Sequence, residues 1–290
     1  MDGYSFEIKF IAFLKLMLIN LKQALLDLTK PRIMGILNIT PDSFYEGSRF
    51  TDLSKILSQT EKMLSAGATF LDIGGHSTRP GAMPVSEDEE LKRVLPVVEA
   101  IIHNFPESFI SIDTFRASIA QQCVEAGAVM VNDVSGGTLD DKMFETVAKL
   151  NVPYVLMHSR GTPESMTQLT DYQDLVTDVM DDLQRKIYQL RQFGQKDIII
   201  DLGFGFAKTA DQNYVLLNHL EDFKLLDCPM LVGVSRKSMI WQKLNISPND
   251  SLNGTTVLNT VALMKGANIL RVHDVQEAVE AVFLVKQLES

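Results

Sequence analysis

The stretch Ile33-Met34-Gly35-Ile36-Leu37-Asn38 is an apolar run that ends on an amide for which strand chemistry has no use. Seven other short apolar runs end in a comparable way. They close at Gly74-Gly75, Asp113, Asn132, His158, Asp201, Ser235 and Arg271. Stretches of helical period lie between most of them. Strands buried on both faces read as unbroken apolar runs, and regular strand–helix alternation builds a parallel sheet. Eight such units in roughly 260 residues fit an α/β fold of the (β/α)8 TIM-barrel type, in which the C-terminal strand ends converge on one site. The same pattern thus predicts a fold and the place where its chemistry lies.

Working outward, the apolar runs predict strands at 32–38, 69–73, 109–113, 128–132, 154–158, 198–201, 230–234 and 268–272. Helices are expected at 53–66, 86–104, 116–126, 140–150, 171–193, 211–226, 253–265 and 275–288. Ser86 followed by Glu89 resembles a capping box. Two connections, 39–52 and 74–85, are long and rich in Gly, Pro and Ser, as expected of lids over a catalytic face. No linker or low-complexity segment divides the chain, so residues 31–290 are expected to be one barrel domain preceded by an N-terminal extension, 1–30. Within that extension Ile8 to Leu28 is apolar, but Lys9, Lys15 and Lys22 interrupt it and no small-residue cleavage site follows. Leu18 to Leu28 is expected to close the barrel's bottom. Met17 is an alternative start.

A chain of 290 residues can bury a core without staples. Its formal charge of −10 gives nucleic acid or an anionic membrane no electrostatic reason to bind. An anionic ligand must therefore be held by a local basic cluster. The two cysteines, Cys123 and Cys228, lack metal-type spacing and are expected to be buried thiols in a reducing cytoplasm.

Asp113, Asn132 and Asp201 end three different strands. Two carboxylates and an amide facing one pocket suit a flat, nitrogen-rich heterocycle, because carboxylates accept paired N–H donors and an amide both donates and accepts. The plainer reading is that Asp113 and Asp201 cap the helices that follow. Ser235-Arg236-Lys237-Ser238 and Arg271-Val272-His273 follow the seventh and eighth runs, where barrels often hold anions. Arg271 and His273 alternate with Val272 and so share one face. Such a cluster suits a phosphate or diphosphate, although Arg236 reads equally well as a surface charge paired with neighbours. Asn38 offers a hard oxygen to a Mg²⁺ that keeps most of its waters.

These residues stand in motifs that follow one another in a familiar order. They are Asn38-Ile-Thr-Pro-Asp-Ser-Phe44, Asp72-Ile-Gly-Gly-His-Ser-Thr-Arg-Pro-Gly-Ala82, Ser111-Ile-Asp-Thr114 and Asn132-Asp-Val-Ser135. The series continues with Met157-His-Ser-Arg-Gly161, Asp201-Leu-Gly-Phe-Gly-Phe206, Gly233-Val-Ser-Arg-Lys-Ser238 and Arg271-Val-His-Asp-Val275. From about residue 32 to the C-terminus the chain resembles the dihydropteroate synthases, pterin-binding barrels of the folate pathway.

The resemblance implies a transferase that joins 6-hydroxymethyl-7,8-dihydropterin diphosphate to 4-aminobenzoate, with Mg²⁺ as cofactor. It implies that Asp113, Asn132, Asp201 and Lys237 hold the pterin, with Arg271 stacked on its face. Arg271, His273, Asn38 and Thr78 would meet the diphosphate. Phe44, Thr78, Arg79 and Pro80 would order over the site, and Phe206, Lys237 and Ser235 would seat 4-aminobenzoate. Asp42, Lys237 and Arg271 are the residues expected to act in the chemistry, Asp42 by balancing a developing cation. Relatives of this kind commonly dimerise, so a homodimer is expected.

The chain departs from the family pattern at His76, where many relatives carry Glu, at Tyr45-Glu46-Gly47-Ser48, at Leu202 and at Ala207. His76 lacks neighbouring ligands at metal spacing. His103 and His219 read as surface residues, and His158 has no assigned role. Two rivals remain: a pterin-binding methyltransferase, which would not need the anion cluster, and a catalytically silent homologue. The latter should have lost some of Asn38, Asp113, Asn132, Asp201, Lys237, Arg271 and His273, and all seven are present.

Overall fold

The computed structural model describes residues 17–22, 24–39, 49–76 and 85–288. Eight parallel strands close into a barrel. They are β3 (Arg32–Asn38), β4 (Phe70–Gly74), β5 (Phe109–Asp113), β6 (Met130–Asp133), β7 (Tyr154–Met157), β8 (Ile198–Asp201), β9 (Met230–Val232) and β10 (Ile269–Val272). Each pairs with the next, and β10 returns to β3 with Arg271 opposite Met34. Around them run α1 (Arg49–Ser65), α2 (Glu87–Asn104), α3 (Ala117–Glu125), α4 (Met143–Leu150), α5 (Leu175–Gln192), α6 (Ala210–Asn218), α7 (Ser238–Leu244), α8 (Leu252–Met264) and α9 (Val275–Lys286). The TIM barrel expected from the apolar runs is the observed architecture.

Period-two alternation divides each strand between two cores. Ile33, Leu71, Ile110, Val131, Ile200 and Val232 face outward and pack with the helices in one large apolar cluster. Their neighbours Met34, Phe70, Met130, Ile199, Leu231 and Ile269 face inward at the bottom, in a second cluster. Two residues further along four of these strands the inward position turns polar: Asp72 after Phe70, Asn132 after Met130, Asp201 after Ile199 and Arg271 after Ile269. The strand repeat carries one face from an apolar floor to a charged upper layer.

A short hairpin, β1 (Leu18–Asn20) and β2 (Leu25–Asp27), covers that floor. Ile19, Leu21 and Leu28 are almost wholly buried against Met34, Phe70 and Met130. Polar ties fix it in place: Asn268 donates to the Leu28 carbonyl at 2.8 Å, and Lys22 donates to the Val124 carbonyl at 2.7 Å. Burying those apolar faces removes about 25 cal/mol per Å² from the cost of folding, whereas an open barrel floor would expose them.

Three local expectations need correction. The helix expected at 211–226 is α6 followed, after His219, by a 3₁₀ segment at Leu220–Leu226. A helix at 238–244 had no expected counterpart. Ser86 accepts from the Glu89 backbone N–H at 3.3 Å, but the Glu89 carboxylate goes to Arg93 at 2.5 Å, so the reciprocal half of the box is not made. The full capping box opens α6 instead, between Thr209 and Gln212.

Candidate active site

The barrel's upper layer converges on one buried ion cluster. Arg271, on β10, donates through Nε to Asp72 Oδ2 and through Nη2 to Asp113 Oδ2, both at 2.6 Å. Asn132, on β6, donates through Nδ2 to the same Asp72 oxygen at 2.9 Å. One guanidinium therefore joins β4, β5 and β10, and one carboxylate orients both the arginine and the amide. Asp72 holds one of the two Asn132 N–H bonds and so fixes the amide's orientation, with Oδ1 available to accept from a ligand. Asp72 Oδ1 is itself buried and, among the described residues, has no hydrogen-bond partner.

Burial sets the proton affinities here. It pushes the Asp113 carboxyl up to about 7, against the pull of Arg271. Asp201 is also raised by burial, with Lys237 opposing, and its Oδ1 accepts from the Gly203 N–H at 2.8 Å. Burial lowers Arg271's affinity, but Asp72 and then Asp113 outweigh it, so the guanidinium is held above its ordinary value. Lys237 is brought down to about 8 by burial, with Asp201 pulling the other way.

Lys237 precedes α7 and reaches across to the β8–α6 connection. Its Nζ donates to the Phe204 carbonyl at 2.5 Å and lies 4.9 Å from the Phe206 ring centre. Ser235 Oγ meets His273 Nδ1 at 3.0 Å and accepts from the His273 backbone N–H at 3.2 Å. Asn38 ends β3 with its side chain exposed. Thus Asp113, Asn132 and Arg271 come together directly, Lys237 and Phe206 form an adjoining group with Asp201 at its edge, and Ser235 and His273 pair. Asp42, Phe44, Thr78, Arg79 and Pro80 lie outside the described residues.

The helix-capping alternative fails for both acids. The residue before α3 is Arg116, which makes no side-chain cap bond, and α6 is capped by Thr209. Arg236 follows the plainer reading: it forms a two-point ion pair with Asp274, at 2.9 and 2.6 Å. His76 packs edge-on to Phe115, with 5.3 Å between ring centres. His103 and His219 are exposed, and His219 pairs with Asp222 at 2.8 Å.

Asp72 was missed in the sequence as a functional residue. Its signal was available, a carboxylate inside the apolar run Phe70-Leu71-Asp72-Ile73 at the inward register. Lys208 was also missed. Its ammonium contacts His158 Nδ1 at 2.9 Å, which answers the one strand ending that had no role.

As to metal, among the described residues no group of three or more His, Cys, Asp or Glu is placed to hold an ion. Asn38 supplies a single hard oxygen at the barrel's mouth. That donor set suits a Mg²⁺ brought with a diphosphate and keeping its waters, not one caged by protein.

Comparison with known proteins agrees with this geometry. A family model described as pterin binding enzyme matches residues 34–273. The dihydropteroate synthase of Escherichia coli strain K12 is 42% identical over 263 residues, covering 90% of this chain and 93% of that one. The Bacillus subtilis enzyme of the same name is 44% identical over 250 residues, 86% of this chain and 85% of that one. Among solved structures, the Yersinia pestis dihydropteroate synthase in a sulfonamide drug complex superposes with a TM-score of 0.88 at 42% identity, covering 94% of this chain and 99% of that one. The Xanthomonas albilineans enzyme with 4-aminobenzoic acid gives 0.87 at 36% identity, over 95% and 99% of the two chains. With its barrel, its polar strand ends and these relatives in agreement, the chain belongs to the pterin-binding enzyme family, among the dihydropteroate synthases.

Proposed function

We propose that the Arg271 cluster reads the pterin of 6-hydroxymethyl-7,8-dihydropterin diphosphate while the Lys237–Phe206 group seats 4-aminobenzoate. The chain is a transferase of folate biosynthesis, and its products are 7,8-dihydropteroate and diphosphate. The observation that carries the division of roles is the shared Asp72 oxygen. It pins Arg271 and Asn132 at once, so the pocket presents a rigid set of acceptors, Asn132 Oδ1 and the carboxylates of Asp113 and Asp201, to the N–H edges of a flat heterocycle.

In the reaction the C–O bond to diphosphate breaks first, with its electron pair leaving on oxygen, and a pterin methylene cation remains. The neutral aniline nitrogen of 4-aminobenzoate then attacks that carbon and loses a proton. Three carboxylates (Asp72, Asp113 and Asp201) stand against two cations (Lys237 and Arg271) in the cluster. Negative charge on these carboxyl groups stabilises the developing cation in a site of low dielectric. No strong protein nucleophile is required. Water must be excluded, a task for the two long connections and for Asp42, Phe44, Thr78, Arg79 and Pro80 within them. Arg271, His273, Asn38 and Thr78 would bind the diphosphate. Mg²⁺, held by Asn38 and the diphosphate oxygens, would offset their charge.

We also propose a homodimer and a cytoplasmic location. Val257 and Met264 on α8, and Phe283 and Leu284 on the adjoining α9, are each more than half exposed, which fits a homodimer formed through these helices. The thiols of Cys123 and Cys228, both buried and not joined in a disulfide, suit the reducing cytoplasm, and no helix of the described residues is long and apolar enough to cross a membrane.

The test is direct. Folded protein incubated with pterin diphosphate, Mg²⁺ and 4-aminobenzoate should release dihydropteroate and diphosphate in equal amounts, and omission of Mg²⁺ should suppress both. Absence of product from folded protein would overturn the assignment.

A further inference from the structure

The connection between β8 and α6 carries three left-handed residues within five: Gly203 (φ 68°), Gly205 (φ 82°) and Ala207 (φ 50°). For Gly203 this is obligatory, since a Cβ there would lie 1.9 Å from the His158 carbonyl oxygen. Ala207 adopts the same region at a cost of about 1–2 kcal/mol, so the surroundings must impose the conformation. A backbone wound this way makes few bonds to itself. One backbone bond, from the Phe206 N–H to the Gly203 carbonyl at 3.0 Å, closes a turn within it, and side chains take its carbonyls as well: Phe204 by Lys237 at 2.5 Å and Ala207 by the Tyr172 hydroxyl at 2.9 Å. Gly203 and Phe206 are both taken by Lys208, at 3.1 and 3.0 Å.

Lys208 is only 8% exposed. Among the described residues its Nζ makes no ion pair, and its third contact is His158 Nδ1 at 2.9 Å. Three acceptors match the three N–H bonds of an ammonium, leaving no donor unpaired. Burial brings Lys208 down to about 7 and His158 down to about 2, so the imidazole is neutral. A neutral imidazole serves Lys208 in either protonation state. With the proton on Nε2 it accepts from the ammonium. With the proton on Nδ1 it donates to a neutral amine, whose two N–H bonds remain on Gly203 and Phe206. A carboxylate at 158 could not donate in this way, which is a physical reason for histidine at this strand end.

We propose that Lys208, braced by His158, is a positioning residue for 4-aminobenzoate. It holds the β8–α6 connection so that the Phe206 ring and the Phe204 carbonyl sit correctly against Lys237. The connection hangs between two buried lysines, Lys237 on the pocket side and Lys208 behind it. Release of the rear one frees Phe206 to move without touching Asp113, Asn132 or Arg271. This inference rests on the reading that Phe206 helps seat 4-aminobenzoate.

The experiment is steady-state kinetics with each substrate varied in turn. Lys208→Met keeps the side chain's length and removes its three donors, at the stability cost of buried acceptors that lose a partner. It should raise KM for 4-aminobenzoate about tenfold or more, while KM for the pterin diphosphate stays within about threefold. His158→Leu should raise the same KM in the same selective way by a smaller factor, and His158→Gln, which restores an acceptor for Lys208, should bring it back toward the parent value. The histidine pair tests the proposal should Lys208→Met fail to fold. Unchanged constants in the folded variants, or equal loss toward both substrates, would overturn it. Phe206→Ala separates the two layers of argument. If it leaves KM for 4-aminobenzoate unchanged, the seating role of Phe206 falls. If it raises that KM while Lys208→Met and His158→Leu do not, only the role of Lys208 falls.

Discussion

The two ends of this barrel are made by the same strands and the same inward-facing register, yet they are built from opposite materials. At the floor, Phe70, Met130, Ile199 and Ile269 meet Ile19, Leu21 and Leu28 of the hairpin in a dry apolar contact. Two residues higher, the same strands supply Asp72, Asn132, Asp201 and Arg271. The floor gains from every apolar contact it makes. The upper layer buries carboxylates and a guanidinium at a desolvation cost that their mutual contacts must offset, and among the described residues Asp72 keeps one oxygen with no partner. A fold stabilised at one end can carry strain at the other. Substitution should therefore cost stability at the bottom and activity at the top.

The sharpest way to break that contrast is Arg271→Met, which leaves the pocket's shape and removes its central cation. It should lower kcat/KM of the folded protein by about 1,000-fold, or about 4 kcal/mol of barrier, with some loss of thermal stability because Asp72 and Asp113 lose their buried partner. A variant that unfolds instead would make the cluster a structural device. At the floor, Leu28→Ala should cost about 2–5 kcal/mol in denaturant unfolding while kcat of the folded fraction is unchanged. A large fall in kcat would show that the two ends are coupled.

Asp72→Asn sharpens the comparison further, because it alters the residue that orients others. Without its charge Arg271 loses a partner and the Asn132 amide is free to turn over. We expect about 10- to 100-fold lower kcat/KM for the pterin diphosphate and a much smaller change in KM for 4-aminobenzoate. Equal effects on both substrates would contradict the orienting role.

The mildest test uses pH. Asp113 is raised to about 7, so the folded protein holds its proton through a range in which the unfolded chain has lost it. That contribution stabilises the fold at low pH and is lost as pH rises from the ordinary carboxylate value through about 7. Pterin recognition has the opposite sign, since the ionised carboxylate accepts paired N–H donors. Affinity measured by calorimetry should strengthen about tenfold between pH 6 and pH 8, and Asp113→Asn should flatten the profile. A profile in Asp113→Asn that matches the parent's would remove Asp113 from that role.

Much of the architecture was legible because parallel strands buried on both faces must read as apolar runs, and all eight were present. Local signals were weaker where an element is short or its pattern broken. The seven-residue α7 offered too few turns to show a period, and the turn at His219 divides what reads as one helix into α6 and a 3₁₀ segment. In the site, Asp113, Asn132, Asp201 and Arg271 could be found as polar residues at strand ends. Asp72 sits one register short of its strand's end, and Lys208 follows a glycine-rich connection whose conformation no local rule specifies.

What the sequence determined by itself is the period of the chain: apolar runs, helical stretches and the polar residue each run ends on. These follow from neighbours one to four residues apart. Only the tertiary structure decided who pairs with whom. Asp72 and Arg271 are 199 residues apart in the chain and Lys208 and His158 are 50 apart, and each pair is joined by a hydrogen bond under 3 Å. Such contacts exist because the closed barrel brings β10 back beside β3 and sets β7 beside β8. Closure is a property of all eight strands together, and no single stretch of sequence contains it.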